Sequence, residues 1–581
     1  MAPRAGRSPR TSPYAQLFRN GAWFNMANSR RGRLPGYRYR EPMQKGRGAT
    51  CHRGALQLVQ DVENAGFKRM AIAMEPRYVI PTRAHMTDIA VPKMYKEVKQ
   101  NVKTSLSSAE RVALTCDGWT SRATEWYVTI TAHYVSDEWQ LVSHVLQTRE
   151  MHESHTGRNL AELLKNAIDE WEIKDKDPAI VTDNASNMII AAELAEFTLH
   201  VKCYAHTLNL AAQRALKLGA VARLLGRVRR IVNFFRRSTT ACHVLNKKQK
   251  LLQLPVHKLT TDVVTRWNSA HDMLVRFLEQ QPAICAALLS SEVRKTEKDL
   301  CTLTESDVTT AEEIVNALKP MKEATLAMSK AKTPTLSVVA PLQATLISQL
   351  QESPGGDSTI TKEIKAAMVV DLQKRHLDLK ETLYTCSALD PRFKSLPFLP
   401  EDDRQEIYDG LITEAASRSK QPLQQSAAGV QTGVSDDDEG MAIKEEVEDD
   451  GVMPVENESN QVPSKRPRAS CPLAALLGET YGPARPKKKT PEDQAKEEMT
   501  RYREADLLPV KEDPLVWWQE HQHEYPLMSN IAKRYLCIPG TSVSSARVFS
   551  TTGDIITAQR SALLPQHVDQ ILFLNKNLKR M

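Results

Sequence analysis

With 581 residues the chain is too long for a single hydrophobic core, so two to four domains are expected. Its 41% hydrophobic and 25% charged residues suit a globular protein. No apolar run reaches the ~18 residues of a membrane span, and nine cysteines without a CxxC pair argue against a disulfide framework or Cys-rich zinc module. The net charge of +8 comes from one end: residues 1–54 hold 12 Arg or Lys and one acid, Glu41. That tail carries +11, so the other 527 residues sum to −3, and the basic balance alone is no argument for nucleic-acid binding.

In chain order, residues 1–54 read as a basic disordered tail. Such a tail suits an arm touching nucleic acid, and its Arg-rich, acid-poor composition also mimics a transit peptide. Residues 55–106 are mostly helical in pattern. Arg111 to Cys116 is a short apolar run ending at Asp117. Trp126 to Val135 alternates as a strand, with Val128, Ile130 and Ala132 on one face. Trp139 to Thr148 makes a third strand, Gly157 to Trp171 has helical spacing, and Ala179 to Thr182 is a buried strand that delivers Asp183. This order, over residues 107–220, is that of an RNase H-like core, although the pattern alone permits other α/β folds. An all-helical insertion follows over 221–420, broken at Leu389 to Lys394. Residues 421–509 shift to acidic and basic runs with prolines, the composition of a disordered linker. Helices return over 510–581.

Two strand-end acids, Asp117 and Asp183, are candidates to converge on a cation, since carboxylates at neighbouring strand tips can supply hard oxygen ligands. An Asp in such a place also commonly caps a turn. Cys203 and His206 lie three apart on a helical pattern and can pack locally. With His200 they read H-x-x-C-x-x-H, yet structural zinc takes four ligands and no second pair lies nearby. Packing is therefore favoured over zinc.

From Phe197 to Thr261 the chain has no acid and 13 Lys or Arg. Arg223, Arg227, Arg229, Arg230, Arg236 and Arg237 interleave with Leu224, Leu225, Val228, Ile231 and Phe234, giving one apolar stripe and one cationic face. A charge run is usually a solvated face; 65 acid-free residues favour phosphate-backbone contact, with weak sequence specificity. In the linker, Lys465, Arg466 and Arg468, then Lys487, Lys488 and Lys489, form two basic clusters that suit nuclear import. Ser435 lies among acids as a candidate phosphosite, and Lys444 fits an apolar-Lys-x-Glu pattern of SUMO attachment. The last domain carries Trp517, Trp518, Val548, Phe549 and Leu572 among many apolar residues, more than about 65 residues can bury alone. Homodimerisation is the interaction these favour.

The phrases LTCDGWTS, TDNASNM, CYAHTLNL, TRWNSAHDML, LDPRFK and DPLVWWQEHQHEYPLMSNIAKRYL, followed by ARVFSTTGDIITAQRSALL, occur in one collinear order. Together they resemble the hAT superfamily of transposases and, more narrowly, the BED-finger proteins derived from it, over about residues 57–420 and 510–578. The resemblance implies an RNase H-like core interrupted by the helical insertion, with a C-terminal dimerisation region completing the core. It implies a metal-binding triad at Asp117, Asp183 and the position of Ala546, where the family's S-E-R-x-F-S phrase has Glu. It also implies a DNA-end or active-site role for Cys203 and His206, and DNA-handling elements beside Arg266 and Trp267, although Trp267 reads equally as a core aromatic. An alanine methyl ligates nothing, and neither Asp554 nor Glu520 or Glu524 is a convincing replacement. Mg2+ or Mn2+ would serve only if catalysis survives. A BED finger is not legible, because Cys51 and His52 are the only zinc-type ligands ahead of the resemblance. The expected function is that of a domesticated or decayed transposase: a dimeric nuclear protein binding DNA or chromatin-associated partners, with no membrane association. The alternatives are an active metal-dependent transposase, and a dimeric scaffold or SUMO-pathway factor that does not bind DNA.

Overall fold

A computed structural model describes residues 63, 65–77, 79–121, 124–294, 302–330, 332–352, 356–375, 377–419, 489–548 and 564–578. The basic tail with Cys51 and His52, Ser435, Lys444, the cluster Lys465 to Arg468, Lys487, Lys488, Phe549 and Asp554 lie outside these residues.

A five-stranded mixed sheet forms the centre: β1 (Ala113–Thr120), β2 (Trp126–Val135), β3 (Leu141–Glu150), β4 (Ala179–Thr182) and β5 (Leu199–Lys202), in the order β3-β2-β1-β4-β5. The first three form an antiparallel meander, while β4 and β5 run parallel to β1. The alternation in β2 sorts its side chains between two cores. Val128, Ile130, Ala132 and Tyr134 meet α1 (Val91–Ser107), α2 (Gly157–Glu170) and α3 (Ser186–Leu194) on one face. On the other face, Ala113, Ala179, Val181 and Val201 pack into the large cluster that includes Leu208 and Ala211 of α4 (Tyr204–Leu216). That cluster continues through the helical block, which runs from α5 (Gly219–Arg237) through α6 (Trp267–Leu288) and α7 (Glu305–Met328) to α8 (Lys380–Ala388) and α9 (Glu401–Ser419).

Three elements differ from the sequence pattern. Strand β1 does not end at Asp117 but runs to Thr120, because β2 pairs with it in unbroken register as far as Thr120–Trp126. Strand β5 was not expected; four residues are too few to show a period. The segment read as linker up to residue 509 holds α10 (Pro491–Glu504). Its start is fixed by a Thr490–Asp493 capping box with Pro491 at the first turn, and Ala495, Met499 and Tyr502 bury one side.

The break at Leu389 to Lys394 is where the helical block grips the C-terminal helices. Arg392 donates to both oxygens of the buried Asp390 carboxylate at 2.8 and 2.6 Å, and Ser337 adds a third donor at 2.6 Å. The buried Lys394 ammonium donates to the carbonyls of Tyr502 and Ala505. Trp518, from α11 (Pro514–His521), donates to the Leu389 carbonyl at 2.9 Å.

The chain then passes through α12 (Pro526–Leu536) and returns to the sheet, where α13 (Pro565–Asn577) covers the β3 edge. An uncovered edge strand would expose unpaired backbone groups. Asn577 substitutes for a neighbouring strand: its amide donates to the Val145 carbonyl at 2.8 Å and accepts from the Val145 N–H at 3.2 Å. Two turns earlier, the buried Asp569 carboxylate accepts from Thr148 N–H at 2.6 Å. Asn577→Ala leaves both Val145 backbone groups without these partners. A loss of about 2 kcal/mol in denaturant unfolding is expected; a loss under about 0.5 kcal/mol would show that this edge cover is not structural.

Candidate functional site at the ends of β1 and β4

Thr115 of β1 pairs with Val181 of β4, and the two strands lead on from there to Asp117 and Asp183, near enough for the Asp183 charge to act on Asp117. Gly118 is required next to the acid, since a Cβ there would lie 2.4 Å from the Trp126 ring. The Asp183 carboxylate accepts from Ala185 N–H at 3.2 Å as the chain turns into α3. Burial, reinforced by the Asp183 charge, pushes Asp117 up to about 7 despite an opposing backbone N–H from Gly118. The Asp183 charge therefore disfavours ionisation of Asp117.

Cys203 precedes α4 and stitches two segments to this end of the sheet. Its N–H donates to the Thr182 carbonyl at 2.8 Å, and its buried sulfur accepts from Ser542 N–H at 3.3 Å. Burial pushes its thiol up. Beside it, Tyr204 N–H donates to the Gly540 carbonyl at 2.9 Å. A Cβ on Gly540 would lie 2.6 Å from Met328, so glycine permits the close approach. His206 is half-buried; burial lowers its pKa while the nearby Asp183 opposes the shift. His200 instead contacts the Thr182 hydroxyl at 2.8 Å, and burial pushes it down to about 4. His200 and Cys203 of H-x-x-C-x-x-H are thus bonded to different partners. Asn184, not singled out from sequence, donates to Thr207 at 3.1 Å and locks the Asp183 loop to α4.

The third position comes from residues 543–548, a helical turn laid on the same strand face. Ser545 is fully buried; its hydroxyl donates to the Thr115 carbonyl at 3.0 Å and meets the Thr115 hydroxyl at 2.8 Å. From Thr115 the contacts continue to His133 at 3.1 Å and from His133 to Ser143 at 2.9 Å, crossing β1, β2 and β3. Ala546 follows this anchor, whose strand partner Thr115 is two residues from Asp117 on β1. Among the described residues, no group of three or more His, Cys, Asp or Glu is placed to hold a metal ion. Two carboxylates and a methyl do not fit the several hard oxygens a pair of divalent cations requires.

Away from this end, several sequence candidates have other occupations. Arg229 makes a forked ion pair with Asp262 at 2.7 and 2.9 Å, and Arg227 pairs with Asp307 at 2.7 Å. Arg236 donates to the Leu259 carbonyl at 3.1 Å and stays exposed, as do Arg223, Arg230, Arg237 and Arg266. The acid-free stretch thus borrows acids from beyond its ends, and Arg227 and Arg229 are not open phosphate ligands. Trp267 is corrected from DNA contact to core: it is 2% exposed, and its ring is edge-on to His271. Three dimerisation candidates are likewise spent inside the protomer. Trp518 stacks on Trp139, while Val548 and Leu572 cover Tyr127 and Val145. Trp517 is half-buried against His521, and Lys489 pairs with Glu497 at 2.5 Å.

The Asp117 shift has a defined sign. The folded carboxyl keeps its proton to about pH 7, while the unfolded one loses it near the ordinary value of 3.8. The native state therefore binds more protons between these values, and its stability falls as pH rises through the window. Asp117→Asn should melt higher than the natural chain at pH 8, by at least about 2 °C, and the gap should close at pH 4. An Asn variant that melts lower at pH 8 would contradict this electrostatic reading.

Comparison with known proteins supports the same architecture. The ZBED1 RNase-like domain matches residues 115–208, the ZBED1 RNase-like helical domain residues 201–317, and the hAT family C-terminal dimerisation region residues 498–578. The chain is 29% identical over 540 residues to zinc finger BED domain-containing protein 4 of Homo sapiens, covering 90% of this chain and 42% of that protein. It is 23% identical to zinc finger BED domain-containing protein RICESLEEPER 2 of Oryza sativa subsp. japonica, covering 88% of this chain and 71% of that one. It is 22% identical to a putative AC transposase of Zea mays, over 88% of this chain and 62% of that one. Parts of the sheet, the helical block and the C-terminal region are thus each similar, in collinear order, to domains described for ZBED1 and hAT proteins, and the chain resembles relatives named for the BED zinc finger and for transposases.

Proposed function

We propose that this chain is a transposase-derived nuclear protein that self-associates and binds DNA or chromatin-associated partners without strand transfer. The observation that carries the reading is Ala546. Ser545 anchors its helical turn on β1, beside the paired carboxylates, yet the position offers a methyl where a third oxygen ligand would sit. The fold is kept and the chemistry is removed.

Self-association is supported by the dimerisation region matched over residues 498–578. Its contact surface differs from the residues chosen by hydrophobicity alone. Leu507, Val510 and Val516 are the large apolar side chains this region exposes around α11, at 53, 68 and 50%. DNA binding is supported by the exposed arginines of α5, Arg223, Arg230 and Arg237, which have no carboxylate partner among the described residues. Nuclear residence is supported by the two linker clusters, Lys465 to Arg468 and Lys487 to Lys489, and by relatives named as transposases and BED-finger proteins.

Salt titration separates this reading from a scaffold that ignores DNA. Affinity for short duplexes of unrelated sequence should fall linearly on logarithmic axes as salt rises, with little difference between duplexes. Replacing Arg223, Arg230 and Arg237 together by Gln should flatten that slope by about 3, because each lost phosphate contact releases about 0.9 fewer counterions. An affinity that does not respond to salt would leave the scaffold reading in place.

A further inference from the structure

The segment after α7 lies against the turn that carries Ala546, and a small cleft opens between them. Its polar lining includes Lys330, Thr333, Thr541, Ser544 and Arg547 at the seam, with His133, Thr335 and Ser329, whose hydroxyl donates to the Thr325 carbonyl at 2.7 Å, and with Ile538 and Pro539 among its apolar walls. Arg547 reaches across the seam and donates to the Ser329 carbonyl. Lys330 is exposed and makes no ion pair among the described residues. The cleft therefore combines two cations with several hydroxyl donors, and no carboxylate lines it. That set suits an oxyanion: guanidinium and ammonium groups neutralise it, and hydroxyls donate to its remaining oxygens. A peptide carboxylate would use fewer of the donors, and a basic partner would be repelled.

The cleft's position favours a nucleic-acid phosphate. Val543, Ser544 and Arg547 line it from one side of the helical turn, while Ser545 on the opposite side is bonded to β1 near Asp117. A helix is about 10 Å across, a distance a DNA strand covers in about three steps at its 3.4 Å axial rise. We infer that the Lys330–Arg547 cleft binds a backbone phosphate of a DNA strand that runs past the Asp117–Asp183 pair. This rests on the DNA-binding reading above and adds a phosphodiester subsite at the seam between the helical block and the C-terminal region. The subsite holds the strand through side-chain cations, with no requirement for a bridging metal.

The test uses the full chain, with random-sequence DNA oligonucleotides and inorganic phosphate as separate probes, read by fluorescence anisotropy and calorimetry across a salt series. The Lys330 side chain is exposed and makes no ion pair or hydrogen bond among the described residues, so Lys330→Glu removes none of these. Arg547→Gln is paired with Arg547→Lys, which keeps the charge and the donor to Ser329. The expected result is that Lys330→Glu combined with Arg547→Gln weakens DNA binding about tenfold and flattens the salt slope by about 2, while Arg547→Lys stays near the natural chain. Unchanged affinity and slope in Lys330→Glu, with salt-dependent binding intact in the natural chain, would overturn the subsite and leave the DNA reading standing. Phosphate binding lost in Lys330→Glu with DNA affinity unchanged would assign the cleft to the free anion and also overturn it. No salt-dependent DNA binding by the natural chain would remove both.

Discussion

The return of the C-terminal region to a sheet built near residue 113 is the constraint on which the rest of the structure depends. Asp177, in the turn before β4, receives the guanidiniums of Arg111 and Arg534, the latter from 357 residues further along the chain. Thr198, ahead of β5, donates to the same carboxylate at 2.7 Å, and Arg534 also reaches the Glu110 carbonyl at 2.9 Å. Both arginines are nearly fully buried, so removing the acid would strand their charges at a cost of about 3–5 kcal/mol. Each guanidinium also donates to a backbone carbonyl, Arg111 to Asp177 and Arg534 to Glu110, which ties the carboxylate contact to the chain on both sides. Once α12 is clamped there, Gly540, Ser542 and Ser545 fall in turn on Tyr204, Cys203 and Thr115.

Much of this fold was legible in the sequence, and the failures have physical causes. Strand β2 and strand β4 kept their expected bounds because strict alternation and a compact apolar run are strong local signals. The end of β1 was misjudged because Asp117-Gly118-Trp119 has turn chemistry by itself, while its strand conformation is imposed by pairing with β2. Helix α10 was hidden by its charge, although Ala495, Met499 and Tyr502 already carried the i, i+4, i+7 signal. Of the candidate site, the phrases around Asp117, Asp183, Cys203 and Ala546 were legible, while the bonds that join CYAHT to TSVSSA at this end of the sheet were not. What composition could not convey was pairing. Asp262 and Asp307 neutralise arginines from outside the acid-free stretch, and Trp267 and Trp518 are held by backbone contacts remote in sequence.

The hydroxyl chain from Ser143 through His133 and Thr115 to Ser545 explains why a change at residue 546 can remove a ligand without loosening the scaffold. Position 545 bears the structural bonds, whereas position 546 is half-buried beside them. An alanine there deletes oxygen chemistry and leaves the anchor intact. Burial, reinforced by the neighbouring Asp183 charge, holds the Asp117 proton toward neutrality.

The claim that the scaffold persists while its third ligand is gone is tested most directly by Mn2+ titration of the natural chain beside Ala546→Glu. The account predicts no stoichiometric Mn2+ binding in the natural chain and a saturable site in the Glu variant, lost again when Asp117→Asn is added. Saturable Mn2+ binding by the natural chain that depends on Asp117 and Asp183 would contradict the account, since another acid would then be completing the site.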